Sequence, residues 1–289
     1  MADDAFFHPA GDLDADGHRW EVFDPTPSSA SVWADTMQHG APPAAIMVRA
    51  IEKLVGEGSR ERRERGRSAP SLRISRVTID LLGVVPITRT RVRARVARPG
   101  RTISLIAAEM DCIDASGEYR TVARAQAWAL AASDTSALAR DLSPVLPPAG
   151  AEQGVMPGFF EHLKDQGFLA ACDWRFVDGP DGPDGIKQCW IRAKMPLVAG
   201  EEPSPLVQVF SVVDAANGIS AYLDPSEVTW MNMDMTVHLH RSPQPVDGWI
   251  GVVGDQLVGG EGIGTTLSRL YDGAGAFAVG AQTLLIAAR

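Results

Sequence analysis

Asp214 stands at the end of an otherwise apolar run, Leu206-Val207-Gln208-Val209-Phe210-Ser211-Val212-Val213. On a helix, counting back four and seven residues puts it on the stripe with Phe210 and Val207, so a carboxylate is carried on a largely apolar face. Such a group needs hydrogen-bond partners, and burial raises its pKa toward the range of a general base. The alternative is a side chain bonded to a neighbouring turn at the helix C-terminus, where the dipole makes an acid unfavourable. Gln282 shares its strand face with Gly280 and Leu284. An amide there can donate and accept without charging, and so can aim a water; a glutamine at a sheet edge is the alternative. Asn232 alternates with Trp230, Asp234, Thr236, His238 and His240 on one face, while Met231, Met233, Met235, Val237 and Leu239 on the other read as core. His39, Gly40 and Ala41 precede a helix whose free N–H groups would bind a carbonyl or oxyanion, Gly40 leaving room for the approach. An ordinary turn with a capping His is the other reading.

Other chemistries find less support. His238 and His240 share a strand face, as paired metal ligands would, but no third ligand has supporting spacing. Gly259-Gly260-Glu261-Gly262-Ile263-Gly264 joins two strands and opens no helix, so it reads as a hairpin turn and not a phosphate loop. No Gly-x-Ser-x-Gly elbow is present to raise a serine nucleophile. A net charge of −9 lacks the cationic footprint of a protein that grips nucleic acid or an anionic membrane. The basic run from Arg60 to Arg67 is interleaved with Glu and reads as a solvated loop, with a patch for coenzyme phosphates as the lesser reading. Cys112, Cys172 and Cys189 show neither pairing nor metal spacing. With an acidic start and no apolar stretch long enough to span a bilayer, the expectation is a cytoplasmic protein with reduced thiols and no membrane insertion.

The elements that must hold these residues come twice. Arg19–Phe23 and the stretch around Ser31–Trp33 are strand candidates, Pro42–Leu54 is helical, and Leu72–Val85, Thr88–Ala97, Thr102–Ile113 and Tyr119–Ala131 read as consecutive antiparallel hairpins. Ala44, Ala45, Val48 and Ile51 form a narrow stripe on the helix that lets a sheet approach closely. After a Pro/Ala/Ser-rich connection, Cys172–Val177 and Gln188–Lys194 are strands. Ser204–Asn217 is a helix capped by Ser204 with Pro205 in its first turn, and Glu227–His240, Trp249–Val258, Gly262–Tyr271 and Ala276–Ala288 are strands. The α+β pattern lets each helix bury its stripe on its own antiparallel sheet. A direct repeat supports duplication: Asp114, Gly117 and Tyr119 recur as Asp272, Gly275 and Phe277, each 158 residues later. At that offset the counterpart of Gln282 is Arg124, so the first copy does not repeat its chemistry. A shared sheet edge and two helices running antiparallel across a local twofold are expected.

Three segments resemble the double-hotdog acyl-CoA thioesterases of the thioesterase II type and their actinobacterial relatives. They are Trp33 followed by His39-Gly40-Ala41-Pro42-Pro43-Ala44-Ala45, then Val213-Asp214-Ala215-Ala216-Asn217-Gly218, then Asn232-Met233-Asp234-Met235-Thr236-Val237-His238-Leu239-His240-Arg241. The resemblance implies two tandem hotdog half-domains, 1–135 and 159–289, joined by a linker over 136–158, each a sheet wrapped around one long helix. It also implies that Asp214, Asn232 and Gln282 hold the water that hydrolyses an acyl-CoA or acyl-carrier thioester, with the carbonyl docking near His39, Gly40 and Ala41. Asn232 departs from the hydroxyl at this position in well-known members. Asp234 and Thr236, on its face, could take its place. No metal or redox cofactor is implied, since hydrolysis needs only a placed water and a stabilised oxyanion. A homo-oligomer is left open. The tail of the acyl chain is expected against Ala44, Ala45, Gly280, Met231, Met233 and Met235. The alternatives are a hydratase or dehydratase acting on acyl thioesters, which would want a His beside Asp214 on the second helix, and a non-catalytic acyl-binding protein.

Overall fold

The computed structural model describes residues 3–64, 70–148, 163–177 and 186–289, without the side chains of 61–64. The far end of the Arg60 to Arg67 run and the end of the linker, with the 158/159 boundary, lie outside the described residues. The chain opens with a hairpin of β1 (Phe7–Ala15) and β2 (His18–Pro25), turned by Asp16 and Gly17, both at positive φ (54° and 70°). β1 escapes sequence patterning because His8-Pro9-Ala10-Gly11-Asp12 has no alternation. No strand forms at Ser31–Trp33. Ser31 N–H donates to the Met37 carbonyl and its hydroxyl accepts from Trp33 N–H, which folds the stretch into local turns.

Helix α1 (Ala41–Glu64) is followed by β3 (Leu72–Leu81), β4 (Thr90–Arg98), β5 (Ile103–Ile113) and β6 (Tyr119–Ala131). β4, β5 and β6 are consecutive hairpins, as expected, but β3 pairs with β6 and not with β4. The connection from Leu82 to Arg89, with Pro86 inside it, is too long for a tight turn and crosses to the far side of the hairpins. The apolar stripe on α1 is also broader than expected. Ala41, Ala44, Ala45, Ile46, Met47 and Val48 are all buried, so the first turns are enclosed on every side.

The second half repeats the order with two differences. After α2 (Gly167–Ala170), β7 (Cys172–Phe176) and β8 (Lys187–Ala193), the expected long helix is broken into α3 (Pro205–Phe210), a 3-10 turn over Val213–Ala215 and α4 (Ala216–Ile219). Ser211 Oγ donates back to the Val207 carbonyl at 2.8 Å and two β-branched valines follow, a combination that loosens a helix. The single strand expected over Glu227–His240 is likewise two, β9 (Val228–Asn232) and β10 (Asp234–Leu239), both paired to β13. The pairing shifts by one residue at Met233, a bulge that reverses which side chains face inward. Trp230 is buried before it, and Met235, Val237 and Leu239 after it. β11 (Ile250–Val258), β12 (Ile263–Asp272) and β13 (Gly275–Ala288) complete the half.

One antiparallel sheet runs through both halves in the order β1-β2-β4-β5-β6-β3-β10-β13-β12-β11-β8-β7. Read outward from the β3–β10 seam, the two halves have the same order. At the seam Thr78 lies opposite Thr236 with the hydroxyls 3.1 Å apart. These threonines are 158 residues apart, the offset of the repeat, so the local twofold passes between them. The repeated turns also use one chemistry: Gly117 and Gly275 take positive φ (86° and 113°), while Asp114 and Asp272 accept from the backbone N–H two residues on. The main core lies between the sheet and the helices of both halves, and among the described residues no helix is long and apolar enough to cross a membrane.

Candidate active site

The break in the second helix delivers Asp214 to the seam. It occupies the 3-10 turn with its side chain buried, and its carboxyl is met from β9, from β13 and from the segment that leads into α1. Asn232 Nδ2, at the end of β9, donates to Oδ1 at 2.6 Å. Gln282 Nε2, on β13, donates to the same oxygen at 3.2 Å and to the Asp214 carbonyl at 3.3 Å. From the first half, His39 Nδ1 lies 3.1 Å from Oδ2, and the backbone of Gly40 packs against the carboxyl. Burial pushes the Asp214 pKa up from the ordinary carboxylate value, against the opposing pull of His39, Asn232 and Gly40. Burial pushes His39 down, with Asp214 opposing. Both causes favour neutral side chains.

Gly40 is required where it stands: a Cβ there would lie 2.7 Å from Asp214 Oδ2. Its backbone lies against the Asp214 carboxyl, and Ala41 N–H donates to His39 Nδ1 at 3.2 Å, so His39 caps the start of α1. The His39 ring is fixed on its other side by Phe168 of α2, ring centres 3.9 Å apart and planes within 11°.

The Met233 bulge explains why Asn232, and neither Asp234 nor Thr236, reaches Asp214. Asp234 accepts from Thr283 N–H at 2.7 Å, and Thr236 is occupied at the seam. Asn232 Oδ1 in turn accepts from Asn217 Nδ2 at 3.1 Å, three residues after Asp214. Asn217 belongs to the family-like segment Val213–Gly218 and carries no sequence signal of its own for the site, although its spacing places it on the same side of a helical turn as Asp214. Phe168 leaves no sequence signal. Gln282 Oε1 is buried and accepts no hydrogen bond from the described residues. Beside Gln282 on β12, Thr266 Oγ1 is in the same condition, as is Gln256 Oε1 beside Thr266 on β11, so a polar row crosses the sheet inward from Asp214.

His39, Gly40, Asp214, Asn217 and Asn232 line a cavity of about 910 Å³. Its walls are apolar and aromatic: Trp33 and Trp230 meet edge to face at 5.1 Å, with Trp174, Met231, Met233 and Leu285 around them. Ala44, Ala45 and Met235 are buried in the core and do not line it, and a Cβ on Gly280 would strike Ser268 and not the cavity, which corrects the expected path of the acyl tail. The three thiols are buried, with Cys112 pushed up to about 11 and Cys172 and Cys189 also pushed up, so none is a ready nucleophile. Among the described residues no group of three or more His, Cys, Asp or Glu side chains is placed to hold a metal.

The fold belongs to a class of solved hotdog proteins. A putative thioesterase II from Thermobifida fusca superposes with a TM-score of 0.66 at 18% identity, covering 94% of each chain. A putative thioesterase from Novosphingobium aromaticivorans gives 0.66 at 16% identity, covering 96% of this chain and 98% of that one. The tesB protein of Mycobacterium avium subspecies paratuberculosis gives 0.60 at 12%, over 93% and 92%. No curated protein matches in sequence. Family models settle what such distant likeness cannot: the acyl-CoA thioesterase C-terminal domain matches residues 140–286 and the N-terminal domain residues 29–130. The chain belongs to the acyl-CoA thioesterase family, and thioester hydrolysis is the activity of that family.

Proposed function

We propose that this protein hydrolyses acyl-CoA thioesters to free acid and CoA with a water held by Asp214, Asn232 and Gln282. The observation that carries this reading is the Gln282 amide. Its nitrogen is committed to Asp214, while its buried oxygen accepts nothing from the described residues. A buried acceptor left unpaired costs about 1–3 kcal/mol, and a water bridging it to the carboxyl removes that cost and is aimed by it. Asn217 spends one amide hydrogen on Asn232 and lines the cavity, so its second hydrogen polarises the thioester carbonyl. The two halves, 1–135 and 159–289 with the 136–158 linker between, act as two hotdogs imitating a dimer, and the active groups come from both. The acyl group occupies the cavity between Trp33, Trp230, Met231 and Met233. Free-thiol release from an acyl-CoA series of graded chain length tests the reading; release at no length would favour a non-catalytic acyl-binding protein. Met233→Trp should shorten the longest chain accepted without slowing the shortest.

One observation favours a second reading, the hydration or dehydration of acyl thioesters. The His expected beside Asp214 on its own helix is supplied by His39 from the other half. Loss of enoyl-thioester absorbance without thiol release would establish it.

A further inference from the structure

Three buried oxygens beside Asp214 share one shortage. Gln282, Thr266 and Gln256 stand directly opposite one another on β13, β12 and β11, so their side chains form one row on the inner face of the sheet. All three are buried, at 5%, 0% and 5% exposure. The amide nitrogens are spent on the turn that carries the carboxylate: Gln282 Nε2 donates to Asp214, and Gln256 Nε2 to the Asn217 carbonyl at 3.4 Å. Among the described residues, Gln282 Oε1, Thr266 Oγ1 and Gln256 Oε1 have no hydrogen-bond partner. The hydroxyl at the centre carries a single hydrogen and cannot serve both glutamine oxygens. One water can: it donates a hydrogen to each glutamine and accepts from the threonine, which gives it the three bonds typical of a buried water. The neighbouring row of the same face is Gly254, Ser268 and Gly280, so no side chain larger than a serine crowds that edge.

We propose that this row is a buried water site, and that Thr266 and Gln256 are positioning residues that act through it on the Gln282 amide. This rests on the reading of Gln282 as a residue that aims the hydrolytic water. Neither Thr266 nor Gln256 is among the described residues that line the acyl cavity, so both reach the reaction only through Gln282. The site water is held in place and is not the one consumed. An amide oxygen has two lone pairs, so Gln282 Oε1 accepts from the site water with one and from the hydrolytic water with the other. The site water secures the sense of the amide. A turned amide would set Oε1 against two oxygens of Asp214 and would lose both waters, and the bond to the row raises the cost of that turn.

Thr266→Val keeps the shape of the side chain and removes the hydroxyl. It should lower kcat about tenfold with KM within about twofold, and Thr266→Ser, which restores the hydroxyl, should return kcat to within about twofold of the native value. In a Gln282→Ala background Thr266→Val should cost nothing further, because the amide it acts on is gone. Thermal unfolding separates a hydrated row from a dry one. Replacing a hydroxyl that bonds nothing removes a buried cost and raises Tm, whereas stranding a water and two glutamine oxygens lowers it, by about 2 °C or more. A rise in Tm, an unchanged kcat, or a tenfold loss that persists without Gln282 would each overturn the proposal. Full activity in Gln282→Ala alone would instead remove the reading beneath it. A crystal structure of the native protein at atomic resolution needs no variant. An ordered water within hydrogen-bond distance of all three oxygens is expected, and Thr266 bonded directly to one glutamine with no water beside it would sink the idea.

Discussion

The seam has two ends related by the local twofold, and only one carries the site. Residues 158 before Asp214, Asn232 and Gln282 are Gly56, Ile74 and Arg124; residues 158 after His39 and Gly40 are Leu197 and Val198. Gly56, Leu197 and Val198 come together in the structure as well, around a cavity of about 430 Å³ shared with Arg49, Glu52, Lys53, Glu201 and Ser204. There the carboxylates have cations or a hydroxyl. Arg49 bridges Glu21 and Glu201 at 2.9 and 2.5 Å, Lys53 reaches Glu21 at 2.8 Å, and Ser204 bonds Glu52. Asp214 meets only amides, the Gly40 backbone and an imidazole. A cation pins a carboxylate in its charged form; neutral donors in a buried pocket leave the proton free to move. Duplication supplied two similar frames, and the two differ in the charges placed in each.

Asp214→Asn should break the comparison most completely, lowering kcat by about a thousandfold, within the range typical of a lost acid–base group, while acyl-CoA binding persists. Gly56→Asp should restore nothing, because Leu197 and the buried Ile74 offer no partners; measurable turnover in the double variant would show that the mate retains a working frame. Gln282→Ala should cost about a hundredfold in kcat by releasing the water and one donor to Asp214, read by steady-state kinetics. Gly40→Ala, which drives a Cβ to 2.7 Å from Oδ2, should lose about tenfold, whereas Val198→Ala at the related position leaves the rate unchanged.

Two smaller effects concern stability. The folded-state pKa of Asp214 is raised above its unfolded value, so its contribution is fully present below the unfolded pKa and lost as pH rises through the folded one. Asp214→Asn should therefore gain Tm relative to the native protein as pH increases, and a gap independent of pH would contradict the raised pKa. Ser204→Ala removes the cap on Val207 N–H and the Glu52 contact, and should cost about 1 kcal/mol in denaturant unfolding with no change in kcat.

Much of this was legible beforehand. The 158-residue offset anticipated the Thr78–Thr236 axis, and strand ends such as Tyr119 and Ala131 fell where the alternation put them. Asp214, Asn232 and Gln282 stood out because each sets a polar group against apolar neighbours, and they do converge. The misreadings share a cause. An unbroken helix through Asp214 and an unbroken strand through Asn232 follow from periodicity, which has no term for a serine bonding its own helix or for a bulge. Both irregularities lie beside the site they shape.

What the sequence determined by itself is the duplication, the antiparallel α+β pattern and the residues able to do chemistry, since periodicity and polar-in-apolar placement are local properties of the chain. Tertiary structure alone decided that His39 and Gly40 lie against Asp214, and that the cavity beside it is walled by tryptophans while Ala44 and Ala45 stay in the core. Those contacts join residues 174 or more positions apart across a seam. Their existence depends on how two halves dock, which no local pattern of side chains specifies.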